Sequence, residues 1–146
     1  MAIKRILVPI DLSEASGQAL DFAIDFAKPF KAELVLVFVV EPLYHAGDLG
    51  LLLEEQQRRG RAELTDLERR VSKAMLKCRT LVQRGTPYVE IVATAKKLKV
   101  DLILMATHGR TGLSHLLLGS VTDRVVRTAE CPVLTLRPRP RRQRRR

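Results

Sequence analysis

Two unbroken apolar runs, Leu34 to Val40 and Leu102 to Met105, constrain the fold of this chain more than any other feature. A strand with one face in water alternates polar and apolar residues. One without alternation has both faces covered, the usual state of a parallel sheet flanked by helices. Ile3, Ile6, Leu7, Val8 and Ile10 read as another such strand, with Pro9 at its end, where a missing ladder donor is tolerated. After it the apolar period becomes helical. Ser13 is a good N-cap with Glu14 in the first turn; Ala15, Ala19, Phe22, Ala23, Phe26 and Phe30 recur at helical spacing, and Pro29 ends that helix.

From Leu43 to Leu53 the composition loosens, with Gly47 and Gly50. Glu54 to Lys77 then has the pattern of a long charged helix carrying Leu64, Leu67, Val71, Ala74 and Met75 on one face, its first part weakened by Gly60. Cys78, Thr80, Val82 and Arg84 begin a short strand, and Thr86-Pro87 supplies an N-cap followed by proline at the first helical position. Ile91, Val92, Ala95 and Leu98 make the next helix amphipathic; Val121, Val125 and Ala129 mark a last helix, and Val133 to Leu136 a last strand. Strands alternating with helices in this way require right-handed crossovers and a doubly wound parallel sheet with helices on both faces, an α/β fold. At 146 residues and 46% hydrophobic, the chain suits one domain with a core that needs no staples.

Cys78 and Cys131 stand in neither C-x-x-C nor finger spacing, so they are expected to be reduced, buried small residues. The formal charge of +10 suggests a polyanion binder until its location is considered. Seven arginines lie in the last ten residues, and without them the charge falls to +3. The expected organisation is therefore a folded body over residues 1–138 and a disordered Arg-rich tail over 139–146. Arg139 to Arg146 can hold phosphates of RNA or DNA by salt-sensitive, sequence-independent contacts, although no aromatic residue interleaves them for base stacking. A solvated tail with no specific partner is the simpler reading. No apolar run approaches the roughly 20 residues of a membrane span, and Met1 to Ile10 lacks a signal peptide's pattern. The expected compartment is the cytoplasm, with no membrane partner.

The loop after Met105 carries the chemistry. Gly109, Gly112 and Gly119 can take positive φ and have no Cβ, which suits an anion nest, and Gly119-Ser120 opens a helix whose first N–H groups point to the same edge. The same residues admit a structural reading, in which Gly119 makes a tight turn and Ser120 is an N-cap with Asp123 as capping-box partner. Asp11 is either a ligand group or an acid stabilising the start of the first helix, and Arg110 either pairs with a phosphate or is solvated.

At this loop the chain resembles the universal stress protein family, in its nucleotide-binding branch. The family signature is Gly, two residues, Gly, nine residues, then Gly-Ser or Gly-Thr. Gly109, the nine residues Arg110 to Leu118, and Gly119-Ser120 match its later parts, while Ala106 replaces the first glycine. One methyl is expected to narrow the pocket without closing it if Ala106 keeps negative φ. The similarity extends through Ile6 to Ser13, Gly85-Thr86-Pro87 and Cys131 to Thr135.

The resemblance implies an adenine-nucleotide alpha hydrolase-like sheet of five strands in the order 3-2-1-4-5, with ligands bound where the strand order reverses. It also implies ATP as the ligand; a divalent ion such as magnesium can bridge the triphosphate oxygens, with few protein carboxylates nearby except Asp11. Pro9, Ile10 and Asp11 match the adenine and ribose side, Val39 an apolar contact, and Met105 and Ala106 the floor. Gly109, Arg110, Gly119, Ser120, Val121 and Thr122 match the phosphate side. A homodimer joined through the last strand is implied as well.

The chain has no G-x-x-x-x-G-K-[ST] loop, kinase signature or dinucleotide fingerprint. His45, His108 and His115 are too scattered for a metal site, Ser114 and Ser120 lack a nucleophile elbow, and His108 reads as a loop hydrogen-bonder. These features lead to a nucleotide-dependent regulatory or stress-response factor, at most a very slow ATPase and with no catalytic residue assigned. The alternatives are a dimeric interaction protein that needs no nucleotide and a weak nucleic-acid binder acting through its tail.

Overall fold

A computed structural model describes residues 2–42, 49–109 and 117–140. Gly47 and His45, Arg110 with Gly112, Ser114 and His115, and the arginines from 141 onward therefore lie outside the described residues. The elements are β1 (Arg5–Ile10), α1 (Glu14–Ala27), β2 (Glu33–Val40), α2 (Leu49–Lys73), β3 (Cys78–Arg84), α3 (Pro87–Lys97), β4 (Leu102–Ala106), α4 (Ser120–Thr128) and β5 (Val133–Leu136).

All strand pairings are parallel, and the order is β3-β2-β1-β4-β5. The unbroken runs have the predicted cause. Alternate residues of β1, β2 and β4 enter two separate cores: Ile6, Val8, Leu34, Leu36 and Leu104 pack under α1 and α2, whereas Leu7, Val35, Val37 and Ile103 pack against α3 and α4. Every residue of β4 is buried.

Local chemistry explains the ends of these elements. Ser13 caps α1 by accepting from the Ser16 N–H at 3.1 Å. Pro29 lies in a short 3-10 turn, Lys28–Phe30, that ends the helix. Gly85, at φ 146°, turns β3 into α3 through a backbone conformation that side-chain-bearing residues rarely adopt. Thr86 holds the N-cap position, but its side chain makes no cap bond.

Several expectations need correction. α2 begins at Leu49 rather than Glu54 and ends at Lys73 rather than Lys77. Met75 sits at φ 61° beyond the helix and is 92% exposed, so it is not part of the apolar face, whereas Leu64 and Val71 are fully buried. Gly60 lies within the helix and is buried, and a Cβ there would overlap the ring of Phe38. Phe22 and Phe30 stay 41% and 45% exposed; they flank Phe26 on the outer side of α1, while Ala15, Ala19, Ala23 and Ala27 form its inner face.

Both cysteines are free but only half-buried. Burial, together with the negative charges of Glu68 and Glu33, pushes the Cys78 thiol up to about 12, and burial also raises that of Cys131. The thiolate is the nucleophile, so iodoacetamide at pH 8 is expected to alkylate the folded protein at least about tenfold more slowly than free cysteine, with denaturant removing the difference. Alkylation at the free-thiol rate would contradict this environment.

Candidate functional site

The sheet's carboxyl edge is split at β1. The chain leaves β1 toward β2 on one side and β4 pairs on the other, so the crossovers diverge there and leave a crevice. A cleft of about 530 Å³ occupies this position. Pro9, Ile10 and Asp11 enter it from the end of β1, Val39 from β2, and Met105 and Ala106 from β4. Gly109 joins them from the following loop, and Gly119, Ser120, Val121 and Thr122 come from the start of α4. Thus eleven of the twelve residues singled out from sequence line one cavity, although the segments are about a hundred positions apart; the twelfth, Arg110, lies outside the described residues.

Asp11 is fixed by the start of α1. Its Oδ1 accepts from the Ser13 N–H at 2.9 Å and from the Ser13 hydroxyl at 2.5 Å. Its own N–H donates to Ser16 Oγ at 3.4 Å. Leu12, next in the chain, is held at φ 65°, a conformation that costs a non-glycine residue about 1–3 kcal/mol and is kept only where the surroundings enforce it. The helix-start role of Asp11 is therefore real, and the same bonds hold its carboxylate at the cleft. Its Oδ2 lies against Gly109, where a Cβ would overlap it.

The described glycines of the loop serve close approach, not positive φ. Gly119 has φ −57°, and Gly85 is the glycine with positive φ among the described residues. At Gly119 a Cβ would stand 3.2 Å from both Thr107 O and His108 Cα, and the Gly119 N–H donates to Thr107 O at 2.6 Å. This contact ties the start of α4 to the end of β4. His108 bonds within the loop, its Nδ1 3.2 Å from Thr107 Oγ1.

The expected capping box is absent. Gly119, not Ser120, is the N-cap, no side chain among the described residues caps the helix, and Asp123 pairs forward with Arg127 at 3.0 Å instead of reaching back. Among the described residues, α4 therefore presents its first N–H groups, with the positive end of its dipole, to the cleft without a side-chain cap bond. Ala106 keeps negative φ and lines the cleft floor.

Thr122 has a structural task that sequence reading did not show. Its buried hydroxyl donates to the Ala106 carbonyl at 2.9 Å, joining α4 to the cleft floor. Thr122→Val keeps the shape but removes the donor, and is expected to cost about 1–3 kcal/mol in denaturant unfolding, with Thr122→Ser losing less. Equal stability of all three proteins would rule out that bond as a support.

Sequence reading also missed Glu41, Gln56 and Arg59, which line the cleft from the end of β2 and from α2, and Pro87 and Ile91 from α3. On α2 the polar residues resemble a solvated face. The available signal was Gly60, a position where the helix approaches β2 closely. Among the described residues no group of three His, Cys, Asp or Glu can hold a metal ion.

The chain has clear relatives. The model of the universal stress protein family matches residues 2–137. Universal stress protein MJ0531 of Methanocaldococcus jannaschii is 38% identical over 139 residues, spanning 92% of this chain and 82% of that protein. The solved structure of MJ0577 from the same organism is similar with a TM-score of 0.89 at 28% identity, over 95% of this chain and 99% of the other. A universal stress protein family protein from Arabidopsis thaliana, solved with AMP bound, has a TM-score of 0.71 over 93% and 92% of the two chains; at 17% identity the likeness concerns the fold alone. By that family match and that relative, on a sheet of the same five-stranded order with a cleft at its switch point, the chain belongs to the universal stress protein family.

Proposed function

We propose that the cleft binds ATP and that the protein acts as a nucleotide-dependent regulatory factor of the stress response in the cytoplasm, hydrolysing ATP very slowly at most. One observation carries this reading: Asp11, Gly109 and the amino end of α4, which no side chain among the described residues caps, converge on one cleft at the switch point. The volume suits a small-molecule ligand. The residues fit a nucleotide by chemistry. Backbone N–H groups at Ser120 to Thr122 suit phosphate oxygens, the apolar side chains of Pro9, Val39 and Met105 suit a flat base, and Asp11 suits hydroxyl donors such as those of ribose. Arg110 is proposed to pair with the phosphates. Magnesium, where present, is carried by the triphosphate, with Asp11 as the nearby carboxylate.

The chain has no Trp, so nucleotide carried through purification raises its 260-to-280 nm absorbance ratio visibly. Stripped protein titrated with ATP in a calorimeter is expected to bind it with saturation. No heat and no displacement at millimolar ATP would refute the reading and favour an interaction protein that needs no nucleotide.

β5 lies at the sheet edge, pairing with β4. We propose that two copies join these edges into a homodimer, since an open strand edge needs cover; sedimentation as a monomer across micromolar concentrations would refute it. A secondary reading, contact with RNA or DNA through Arg139 to Arg146, draws support from Gln18. Its side chain accepts from the Arg139 N–H at 2.8 Å and donates to the Arg139 carbonyl at 2.9 Å, so the arginine run starts from a fixed point on the body. Deleting 139–146 tests it through the salt dependence of binding.

A further inference from the structure

We infer that α2 forms a selectivity wall for the base of the bound nucleotide, with Arg59 covering the face of the ring and Gln56 reading its edge. The inference rests on the nucleotide reading of the cleft and adds residues from a helix that the glycine-loop signature does not touch. The cleft has two chemically different ends. At one end stand the amino terminus of α4 and Gly119, suited to phosphate. At the other, Val37, Phe38 and Val39 of β2 provide apolar surface. In the sheet β1 and then β4 follow β2, so at about 4.8 Å per strand the two ends lie about 10 Å apart, a spacing that lets one ligand place an aromatic ring at one and phosphates at the other.

α2 is pressed onto the apolar end. The buried Gly60 meets the ring of Phe38 so closely that no Cβ fits, which sets the helix backbone directly above β2. Gln56 and Arg59, one turn and one residue before this contact, consequently line the cleft. Arg58, Arg69 and Arg70 of the same helix face carboxylates of Glu55, Asp66 and Asp21, whereas Arg59 forms no ion pair among the described residues. It is also the only Lys or Arg among the described residues lining the cleft. A guanidinium at an apolar slot stacks on an aromatic ring through its plane and charge together, and a carboxamide offers the donor and acceptor that distinguish one purine edge from another.

The test is calorimetric titration of full-length wild type, Arg59→Ala, Arg59→Lys and Gln56→Ala with ATP and GTP. Arg59→Ala is expected to weaken ATP binding about tenfold, and Arg59→Lys nearly as much, because lysine keeps the charge but not the plane. Gln56→Ala is expected to narrow the preference between ATP and GTP. ATP affinity within about twofold of wild type in Arg59→Ala, full rescue by lysine, or an unchanged ATP-to-GTP ratio in Gln56→Ala would each overturn the assignment of the residue concerned while leaving the cleft's function intact. Wild type that binds neither nucleotide would overturn the nucleotide reading itself, and this wall with it.

Discussion

Gly109→Val is expected to abolish ATP binding, lowering affinity by at least about a hundredfold, while the far-ultraviolet circular dichroism stays that of the wild type. The position lies in a loop at the sheet edge, so no helix or strand depends on it. Any Cβ there overlaps Oδ2 of Asp11. Asp11 cannot yield easily, because Ser13 holds its other oxygen through both the backbone N–H and the hydroxyl. Valine thus either breaks that pair of bonds or moves the loop away from β1, and in both cases the carboxylate and the amides no longer converge. Titration of the stripped variant checks the expectation. ATP affinity close to that of wild type would show that the contact between Asp11 and Gly109 has no part in binding.

Gly60→Val is expected to destabilise the protein by about 2–3 kcal/mol, lowering the melting temperature by roughly 5–10 °C. Helix propensity predicts the opposite sign, since glycine costs a helix about 1 kcal/mol relative to alanine. Packing decides the outcome. The added carbons would overlap the buried ring of Phe38, which is held between α2 and the sheet, so α2 must lift from β2 or the ring must leave its site. Calorimetric melting of Gly60→Ala and Gly60→Val measures the balance, and unchanged or raised melting temperatures would show that the ring moves freely. Because α2 also carries Gln56 and Arg59, the valine variant is expected to lose ATP affinity as well.

These two glycines show how much could be read from sequence. Strand and helix identities followed from apolar period alone, because burial on both faces of β2 and β4 leaves no room for alternation. The switch-point site was legible through a signature in one loop and an acid after β1, and those segments do line one cleft. What escaped depends on contacts between segments distant in the chain. Gly60 read as a weak helix position because Phe38, its partner, lies 22 residues earlier. Gln56 and Arg59 read as a solvated surface for the same reason. Ser120 and Asp123 have a capping-box spacing, yet the helix starts one residue earlier than that spacing requires, because Gly119 is pulled against Thr107 and takes the cap position itself. The end of α2 was misplaced because Met75 adopts a left-handed backbone conformation that apolar periodicity does not register.

The most direct measurement is a crystal structure of the protein grown with ATP. Triphosphate density is expected against the N–H groups of Ser120 to Thr122, with ribose beside Asp11 and the base over Val39 and Pro9. Phosphates bound elsewhere, or a cleft that stays closed to nucleotide at saturating concentration, would contradict that expectation.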